Sequence, residues 1–207
     1  MDDLFATDQE ERIDLPDADI RLFRSALPPQ AADSCYSRIF DETDWQERDI
    51  FIWGKRIKQP RLIAWYGDKG ASYAYSGNRF EPSPWTPLLK RLRQKVEVLS
   101  QSSFNSVLLN LYRDSNDNMG WHSDNEAELG PKPTIASLSL GATREFQLKH
   151  VNRPDIGIIK IALTHGSLLV MSGTTQQYWL HAIKREKNHV SPRINLTFRY
   201  VQADQRN

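Results

Sequence analysis

The C-terminal half of the chain, from about residue 104 onward, is a succession of short apolar segments separated by clusters of Gly, Asn, Asp and Pro. Each segment has the length of a β-strand and is too short for an ordinary helix. The segments are FNSVLLNLYR, TIASLSL, REFQLKH, IGIIKIAL, GSLLVMS, YWLHAIK and RINLTFRYV. Seven or eight short strands within about 100 residues are typical of a double-sheet jelly roll. We therefore expect residues 104–202 to form such a core.

The residues before this core mix helical and β patterns. The Pro-Pro pair at 28–29 can open a helix that runs to about Phe40, because proline is tolerated in a first helical turn. A second helix is predicted from about Pro84 to Ser100. Its expected apolar face is Leu88, Leu89, Leu92, Val96 and Leu99, and its expected solvent face is Lys90, Arg91, Arg93 and Lys95. Residues 50–80 add further β segments, so the predicted fold class is α+β.

The composition excludes several classes of protein. A single cysteine, Cys35, rules out an internal disulfide and a zinc site built from cysteines. No apolar run approaches the roughly 20 residues that a membrane-spanning helix needs. The opening run MDDLFATDQEER lacks the basic and apolar regions of a secretory signal. We expect a protein without a membrane partner in a reducing, intracellular compartment, cytoplasmic or, in a eukaryote, nuclear.

The net charge of +1 conceals an uneven distribution along the chain. Residues 1–19 carry eight acids and one base, which leaves 26 bases and 18 acids, or +8, in residues 20–207. A basic body with an acidic end fits a polyanionic partner, although a merely solubilising surface would give the same balance. Residues 1–12 are predicted to be a flexible acidic tail, and residues 13–207 a single domain.

A His-X-Asp motif, His122-Ser123-Asp124, places an imidazole and a carboxylate on the same side of an extended segment. These groups are two of the three ligands of a 2-His-1-carboxylate site, which leaves positions open on Fe(II). The motif alone is a weak signal and needs a second histidine from further along the chain. The candidates are His150, His165, His181 and His189. His181 is preferred because it lies inside a strand-like apolar segment, and the others read as strand-end or loop residues.

The last strand has a polar face opposite an apolar one. The polar residues are Arg193, Asn195, Thr197 and Arg199. Such a stripe is ordinary where it faces solvent, and the alternative is that it lines the inside of a barrel. In a barrel, the two arginines could hold opposite ends of a small dicarboxylate, because a guanidinium binds carboxylates in a bidentate manner. Asn110 and Tyr112, on the strand at 104–113, could complete the same pocket.

These motifs together carry a resemblance to a known family. The matching runs are PRLIAWYGD, FNSVLLNLYRD, WHSDNE, IASLSLGATREF, HGSLLVMSGTTQQYWLH and PRINLTFR. In their order and spacing, over about residues 50–202, the chain resembles the AlkB family of iron(II)/2-oxoglutarate-dependent nucleic-acid dealkylases. It looks closest to the branch that contains the human DNA-repair homologues two and three. The resemblance implies a double-stranded β-helix core, with an added β-rich nucleotide-recognition lid at about residues 50–80.

The resemblance also implies a cofactor set and the residues that bind it. The implied cofactors are Fe(II), 2-oxoglutarate as co-substrate and O₂. The implied iron ligands, which are also the catalytic residues, are His122, Asp124 and His181. For 2-oxoglutarate, the implied residues are Arg193, with Asn110 and Tyr112, for the distal carboxylate, and Arg199, with Asn195, for the carboxylate nearest the iron.

The residues that would contact a target base follow from the same resemblance. Tyr73 and Tyr75 would belong to a lid that clamps a flipped base, since stacking on an aromatic ring is worth roughly 1–3 kcal/mol per base. Glu126 would contact the base and Arg144 would lie at the pocket rim, although a surface salt bridge would also explain both. Trp53 is either a core residue or a wedge that fills the gap left by the flipped base. Residues that could contact phosphates nearby are Lys55, Arg56, Lys58 and Arg61.

The implied function is direct reversal of DNA damage by oxidative demethylation of N1-methyladenine and N3-methylcytosine, with release of formaldehyde, succinate and CO₂. Both lesions have lost Watson–Crick pairing, which lowers the cost of flipping them out of a helix. The expected partner is alkylated DNA, with RNA as an alternative, and the expected oligomeric state is a monomer. Two other hypotheses stay open: a protein hydroxylase of the same class, and a non-catalytic jelly-roll binding module.

Overall fold

Two β-sheets form the framework of the protein in a computed structural model, which describes residues 9–52, 55–71, 73–75 and 78–202. In this part of the chain, the larger sheet has eight strands. Their spatial order is β1 (Glu10–Ile13), β2 (Asp19–Phe23), β14 (Leu168–Ser172), β11 (Ile135–Gly141), β16 (Arg193–Arg199), β9 (Ser106–Tyr112), β5 (Leu62–Gly67) and β8 (Ser83–Pro84). Neighbouring strands are antiparallel, except that β5 and β8 pair in parallel.

The smaller sheet completes the expected jelly roll. Its four described strands are, in spatial order, β10 (Met119–His122), β15 (Trp179–Ile183), β12 (Arg144–His150) and β13 (Ile158–Leu163). Two separate antiparallel pairs are β3 (Asp49–Ile52) with β4 (Lys55–Lys58), and β6 (Tyr73–Tyr75) with β7 (Asn78–Phe80). The strands β9 to β16 are divided between the two sheets, which confirms the double-sheet core, and β3 to β7 confirm the β character of the preceding region.

The helices lie close to their predicted positions. They are α1 (Pro29–Glu42), α2 (Pro87–Ser100) and the one-turn α3 (Thr175–Tyr178), and short 3-10 turns cover Ala127–Leu129 and Pro154–Ile156. Helix α2 begins later than expected because Ser83 and Pro84 pair with β5. Thr86 caps it by accepting a hydrogen bond from the backbone N–H of Leu89 at 3.2 Å. None of the described helices is long and apolar enough to cross a membrane.

One side chain of α2 lies on the face opposite to the one predicted from its charge. Lys95 is only 5% exposed, whereas the basic residues of this helix were all expected to face solvent. Position 95 comes seven residues after the buried Leu88, or about two helical turns, and therefore returns to the same face. Its place in the helical repeat, rather than its charge, decides where it lies.

Two apolar clusters cover the two faces of the larger sheet. The first joins that sheet to α1 and α2 and includes Leu27, Leu92 and Phe198. The second fills the space between the two sheets and includes Ile20 and Trp179. Because apolar side chains fill much of the space between the two sheets, polar side chains on the inner face of the larger sheet are shielded from solvent. The polar stripe of β16 lies in this inner layer.

Strand β1 contains residues that were predicted to belong to the flexible acidic tail. The sequence predicts a flexible segment over residues 1–12, but Glu10–Ile13 pairs with β2. The strand is held at its end by Arg21 of β2, whose Nη1 lies 3.5 Å from Oε2 of Glu10. The prediction is therefore wrong for residues 10–12, because backbone pairing orders them. Residues 1–8 lie outside the described part of the chain, and the single domain over 13–207 stays a prediction.

Candidate metal centre

His122 and His181 lie directly opposite each other in the antiparallel pair of β10 and β15. Opposed residues project from the same face of a sheet, so both imidazoles enter the same cavity between the sheets. Their ring centroids are 4.1 Å apart. The register of two strands that are distant in sequence therefore brings two metal-binding groups together.

Asp124 completes a group of three ligands. One ligand atom each from His122, Asp124 and His181 lies within 4.8 Å of the other two. Two imidazoles and one carboxylate are the ligand set of a facial triad, which suits Fe(II) and leaves coordination positions open. Asp124 is 3% exposed and His181 is 6% exposed, so the site is largely shielded from water.

Neighbouring groups orient two of these ligands. Nδ1 of His122 donates to the carbonyl of Gly120 at 2.9 Å, which leaves the lone pair of Nε2 for a metal. The backbone N–H of Asp124 donates to Oε1 of Gln176 at 2.9 Å. Nη2 of Arg199 donates to Oδ1 of Asp124 at 2.7 Å. The carboxylate is thus held through both its backbone and its side chain.

The cavity favours the protonation states that metal binding requires. Burial lowers the pKa of His181 to about 3 and also lowers the pKa of His122. Burial alone would raise the pKa of Asp124, but the positive charge of Arg199 lowers it, and the net effect is a lowered pKa. At neutral pH both imidazoles are therefore neutral and the carboxylate is ionised, which are the forms that bind a metal.

A polar stripe on three neighbouring strands of the larger sheet lines the same cavity. Residues of β9, β16 and β11 lie side by side in rows across the sheet. The rows are Tyr112–Arg193–Gly141, Asn110–Asn195–Ser139 and Leu108–Thr197–Ser137. Arg193 is 2% exposed, and Asn195 and Thr197 are each 7% exposed. The polar face of the last strand therefore lines the interior, and the solvent-facing alternative is wrong.

Arg193 carries a buried guanidinium that is only partly satisfied. Its Nη2 donates to Oγ of Ser139 at 2.9 Å, and its charge lies 5.2 Å from the centroid of the Tyr112 ring. Nε and Nη1 have no hydrogen-bond partner among the described residues. Burial lowers the pKa of Arg193 to about 10, so the group is still charged at neutral pH. A buried cation with two unused donors fits a carboxylate ligand, such as either end of 2-oxoglutarate.

Other residues around the cavity were not singled out from the sequence. Ser137 Oγ accepts a hydrogen bond from Nδ2 of Asn195 at 2.7 Å, and Ser139 holds Arg193 as described. The alternation in TIASLSL places both serines on one face, which is the signal that could have pointed to them. Arg61 was expected at phosphates, but it is buried and its Nε donates to Oδ1 of Asn110 at 2.8 Å.

Arg144 does not lie at the pocket rim, and that prediction is wrong. Its side chain is almost fully buried and donates to the backbone carbonyls of Asp114, Asp117 and Lys184. It also forms an ion pair with Glu186 at 3.4 Å. The alternation of β12 turns this arginine inward, where it joins two loops. It is therefore not exposed to a substrate.

A groove adjoins the three metal-binding residues. Of the residues predicted to contact a target base, Glu126 lines this groove. Residues that line it include Arg48, Gln59, Arg61, Trp65, His122, Asp124, Glu126 and Arg199. Glu126 immediately precedes the 3-10 turn at Ala127–Leu129 and is brought beside the metal ligands. Tyr73 and Tyr75 lie in β6, and Trp53 lies outside the described residues. Their roles toward a base stay predictions.

The other candidate histidines lie elsewhere. Nε2 of His150 is 3.3 Å from Oδ2 of Asp17. Nδ1 of His165 accepts a hydrogen bond from the backbone N–H of Gly141 at 2.8 Å. His189 is exposed, after the end of β15. Of the four candidates, the structure brings His181 to the His-X-Asp motif.

Comparisons with known proteins agree with this site. The family model described as the 2OG-Fe(II) oxygenase superfamily matches residues 19–199. Alpha-ketoglutarate-dependent dioxygenase alkB homolog 3 from Bos taurus is 43% identical over 183 residues, which are 84% of this chain and 63% of that protein. The Homo sapiens protein of the same name is 39% identical over 193 residues, 89% of this chain and 67% of that protein. DNA oxidative demethylase ALKBH2 from Mus musculus is 40% identical over 158 residues, 73% of this chain and 66% of that protein.

The chain thus spans less than two thirds of the length of the bovine relative. Among solved structures, OsALKBH1 has a TM-score of 0.68 at 18% identity and covers 93% of this chain and 100% of its own. A prolyl hydroxylase from Trichoplax adhaerens, in complex with a hypoxia inducible factor peptide, has a TM-score of 0.61 at 14% identity, covering 88% and 83%. At these identities the likeness shows the fold alone. The chain belongs to the 2OG-Fe(II) oxygenase superfamily and, through its more similar relatives, to the AlkB family.

Proposed function

We propose that this protein demethylates N-alkylated nucleobases in DNA by iron(II)- and 2-oxoglutarate-dependent oxidation, with N1-methyladenine and N3-methylcytosine as substrates. One observation carries the proposal. The triad of His122, Asp124 and His181 and the buried guanidinium of Arg193 line the same cavity. A dicarboxylate can span such a cavity, with one end at a metal and the other at the cation.

His122, Asp124 and His181 would hold the iron. When bound, iron and 2-oxoglutarate supply the oxidation of an N-methyl group, with formaldehyde, succinate and CO₂ as products. The protein keeps the two imidazoles neutral and the carboxylate ionised, and it shields the cavity from water. Arg199 holds the carboxylate of Asp124 in place.

The polar stripe of the larger sheet would bind 2-oxoglutarate. Arg193 would pair with the distal carboxylate, with its guanidinium oriented by Ser139. Tyr112 covers one face of that guanidinium, at 5.2 Å from the ring centroid. Asn110 and Asn195 lie in the next row, and Arg199 would serve the carboxylate nearest the iron. The protein thereby supplies charge at both ends of a dicarboxylate.

The groove beside the triad would receive the target base. Glu126 lines this groove together with the metal ligands. Tyr73 and Tyr75 would stack against the base, and Trp53 would fill the gap that it leaves in a duplex. The charge of +8 in residues 20–207 favours a polyanion, because phosphate contacts release counterions. We further propose that the protein works as a monomer in a reducing intracellular compartment.

The choice of DNA rests on the relatives. The mouse relative is named a DNA oxidative demethylase, and it aligns with 73% of this chain. A binding module without catalysis would not require a metal triad, a shielded cavity and a buried arginine together. RNA and a protein side chain are therefore outcomes of the test below.

The experiment loads the protein anaerobically with Fe(II) and 2-oxoglutarate, adds a methylated DNA oligonucleotide and then admits air. We expect repaired base, formaldehyde and succinate in equal amounts. Asp124→Ala should abolish all three products, and Asp155→Ala, at an exposed ion pair with Arg153, should leave them unchanged. Faster turnover of an RNA oligonucleotide of the same sequence would show that RNA, rather than DNA, is the preferred substrate. Absence of base repair on every methylated oligonucleotide would refute the proposal and leave a protein side chain as the alternative substrate.

A further inference from the structure

Gln59 occupies a fixed position between β4 and β5. Its backbone N–H donates to the carbonyl of Arg48 at 2.8 Å, and its carbonyl accepts from the N–H of Arg61 at 2.9 Å. The residue is 9% exposed. Because both backbone groups are paired, the direction in which the side chain leaves the backbone is constrained. Gln59 lines the groove beside the triad and does not line the cavity that holds Arg193.

The side-chain oxygen of Gln59 is buried and has no hydrogen-bond partner among the described residues. Almost all buried polar atoms in native proteins are paired, so an orphaned acceptor needs an explanation. This oxygen belongs to a side chain in the same groove as His122, Asp124 and Glu126. A ligand that enters the groove with a hydrogen-bond donor would satisfy it.

We propose that Gln59 is a base-recognition residue, whose Oε1 accepts a hydrogen bond from the exocyclic amino group of the target base. The inference rests on the proposed function and names a residue that determines its substrate class. N1-methyladenine and N3-methylcytosine carry an amino group next to the methylated nitrogen. N3-methylthymine carries carbonyls on both sides of its methylated nitrogen, and N1-methylguanine carries a carbonyl at C6, where N1-methyladenine has its amino group. Either carbonyl would oppose the Gln59 oxygen without a proton between them. The groove therefore selects methylated bases that have an amino group, rather than a carbonyl, at that position.

Glu126 is the natural complement of Gln59 in this recognition. An exocyclic amino group has two N–H donors, and the side chains of Glu126 and Gln59, which carry a carboxylate and an amide, belong to residues that line the same groove. Gln59 is the more informative of the two for a test, because a methionine has the same length and no strong acceptor. An ionised glutamate at the same position can only accept hydrogen bonds, whereas the amide can also donate.

The test compares Gln59→Met and Gln59→Glu with the unmodified protein on N3-methylcytosine and N3-methylthymine, in one single-stranded DNA sequence. Single-turnover rates of the iron- and 2-oxoglutarate-loaded protein give the selectivity, and anaerobic binding by fluorescence anisotropy gives the affinity. Gln147→Met, on β12 and outside the groove, is the matched control. Thermal melts check that each variant is folded.

We expect Gln59→Met to lower the preference for N3-methylcytosine over N3-methylthymine about tenfold, which corresponds to about 1.4 kcal/mol. Its affinity for the N3-methylcytosine oligonucleotide should fall, and its affinity for unmodified DNA should not. Gln59→Glu should keep the preference or sharpen it, because it retains an acceptor. The control should match the unmodified protein in every measurement.

An unchanged preference in Gln59→Met, or an equal loss on both lesions, would overturn the assignment. If that variant does not fold, Gln59→Glu decides, and improved turnover of N3-methylthymine would overturn the inference. Failure of the unmodified protein to repair any methylated base would instead refute the proposed function, which distinguishes the two failures.

Discussion

The side-chain amide of Gln176 accepts a hydrogen bond from the backbone N–H of Asp124, with 2.9 Å between Oε1 and the nitrogen. Its Nε2 donates to Sδ of Met171 at 3.6 Å, so both ends of this amide are engaged. Gln176 is 1% exposed and lies in α3, next to Thr175, whose Oγ1 accepts from the backbone N–H of Asp19. The one-turn helix thus connects the metal ligand to the start of β2.

Replacing Gln176 by methionine should weaken metal binding without unfolding the protein. The two side chains are of similar size, but methionine leaves the N–H of Asp124 without its acceptor. Loss of a group that orients a metal ligand typically costs about 10–100-fold in affinity or activity, and we expect about tenfold here. Isothermal titration with Mn(II) measures it. Gln177→Met, at an exposed neighbour, is the control, and equal affinities for both variants would contradict the prediction.

Replacing Arg193 by methionine should abolish the response to 2-oxoglutarate while leaving the metal-free protein at least as stable. Truncating one partner of a buried charge pair costs about 2–5 kcal/mol of binding. A buried guanidinium with two unpaired nitrogens also weakens the unliganded fold, and methionine removes that cost. Thermal melts with and without 2-oxoglutarate, in Mn(II), measure both effects. A stabilising shift by 2-oxoglutarate equal to that of the unmodified protein would place its binding elsewhere.

The metal-free protein should lose stability as the pH falls below about 6.5. Burial lowers the pKa values of His181 and His122 in the folded state, so the unfolded chain binds more protons below 6.5. Stability is therefore full above that pH and falls by at most about 1.4 kcal/mol per pH unit for each histidine that stays neutral. Urea unfolding with a chelator at pH 7, 6 and 5 measures the slope.

The variant His181→Phe measures how much of this pH dependence of stability comes from His181. His181→Phe keeps a ring beside Phe146, whose centroid lies 5.2 Å from that of His181, but it cannot be protonated. Its slope between pH 6 and 5 should be smaller by about 1.4 kcal/mol per pH unit. Asp124 does not interfere, because its lowered pKa places its own contribution below about pH 4. Identical slopes would show that His181 is protonated in the folded protein.

Trp53 and Tyr75 should respond differently to the form of the substrate. A wedge stabilises the gap in a duplex, where flipping disrupts stacking at a cost of a few kcal/mol, and it has little to do on a single strand. Trp53→Ala should therefore slow repair of a duplex far more than repair of the same lesion in a single strand. Tyr75→Ala should slow both. Single-turnover repair in the two contexts decides, and equal losses for Trp53→Ala with a lowered melting temperature would make Trp53 a core residue.

The polar stripe of β16 shows that a local sequence pattern can predict which side chains share a face but not whether that face is buried. The alternation of Arg193, Asn195, Thr197 and Arg199 can be read from the sequence, but both solvent and a barrel interior satisfy it. The polar stripe faces the interior because β16 pairs with β9 and β11 on either side and because the second sheet and its apolar side chains cover this face. Burial depends on what packs above a strand, and that packing comes from residues far away in the chain.

Local periodicity by itself determined the double-sheet core, the two longer helices, the His-X-Asp motif and, with the family's motifs, the ligand types. These features follow from spacings of two to four residues, which a sequence displays directly. Tertiary structure set the register that places His181 directly opposite His122, which the sequence could only favour. It alone decided that Arg144 turns inward to join two loops and that Arg61 donates to Asn110. It also buried Lys95 and left the side-chain oxygen of Gln59 buried without a hydrogen-bond partner among the described residues. The physical reason is that strand register and layer packing bring together groups that no local spacing connects.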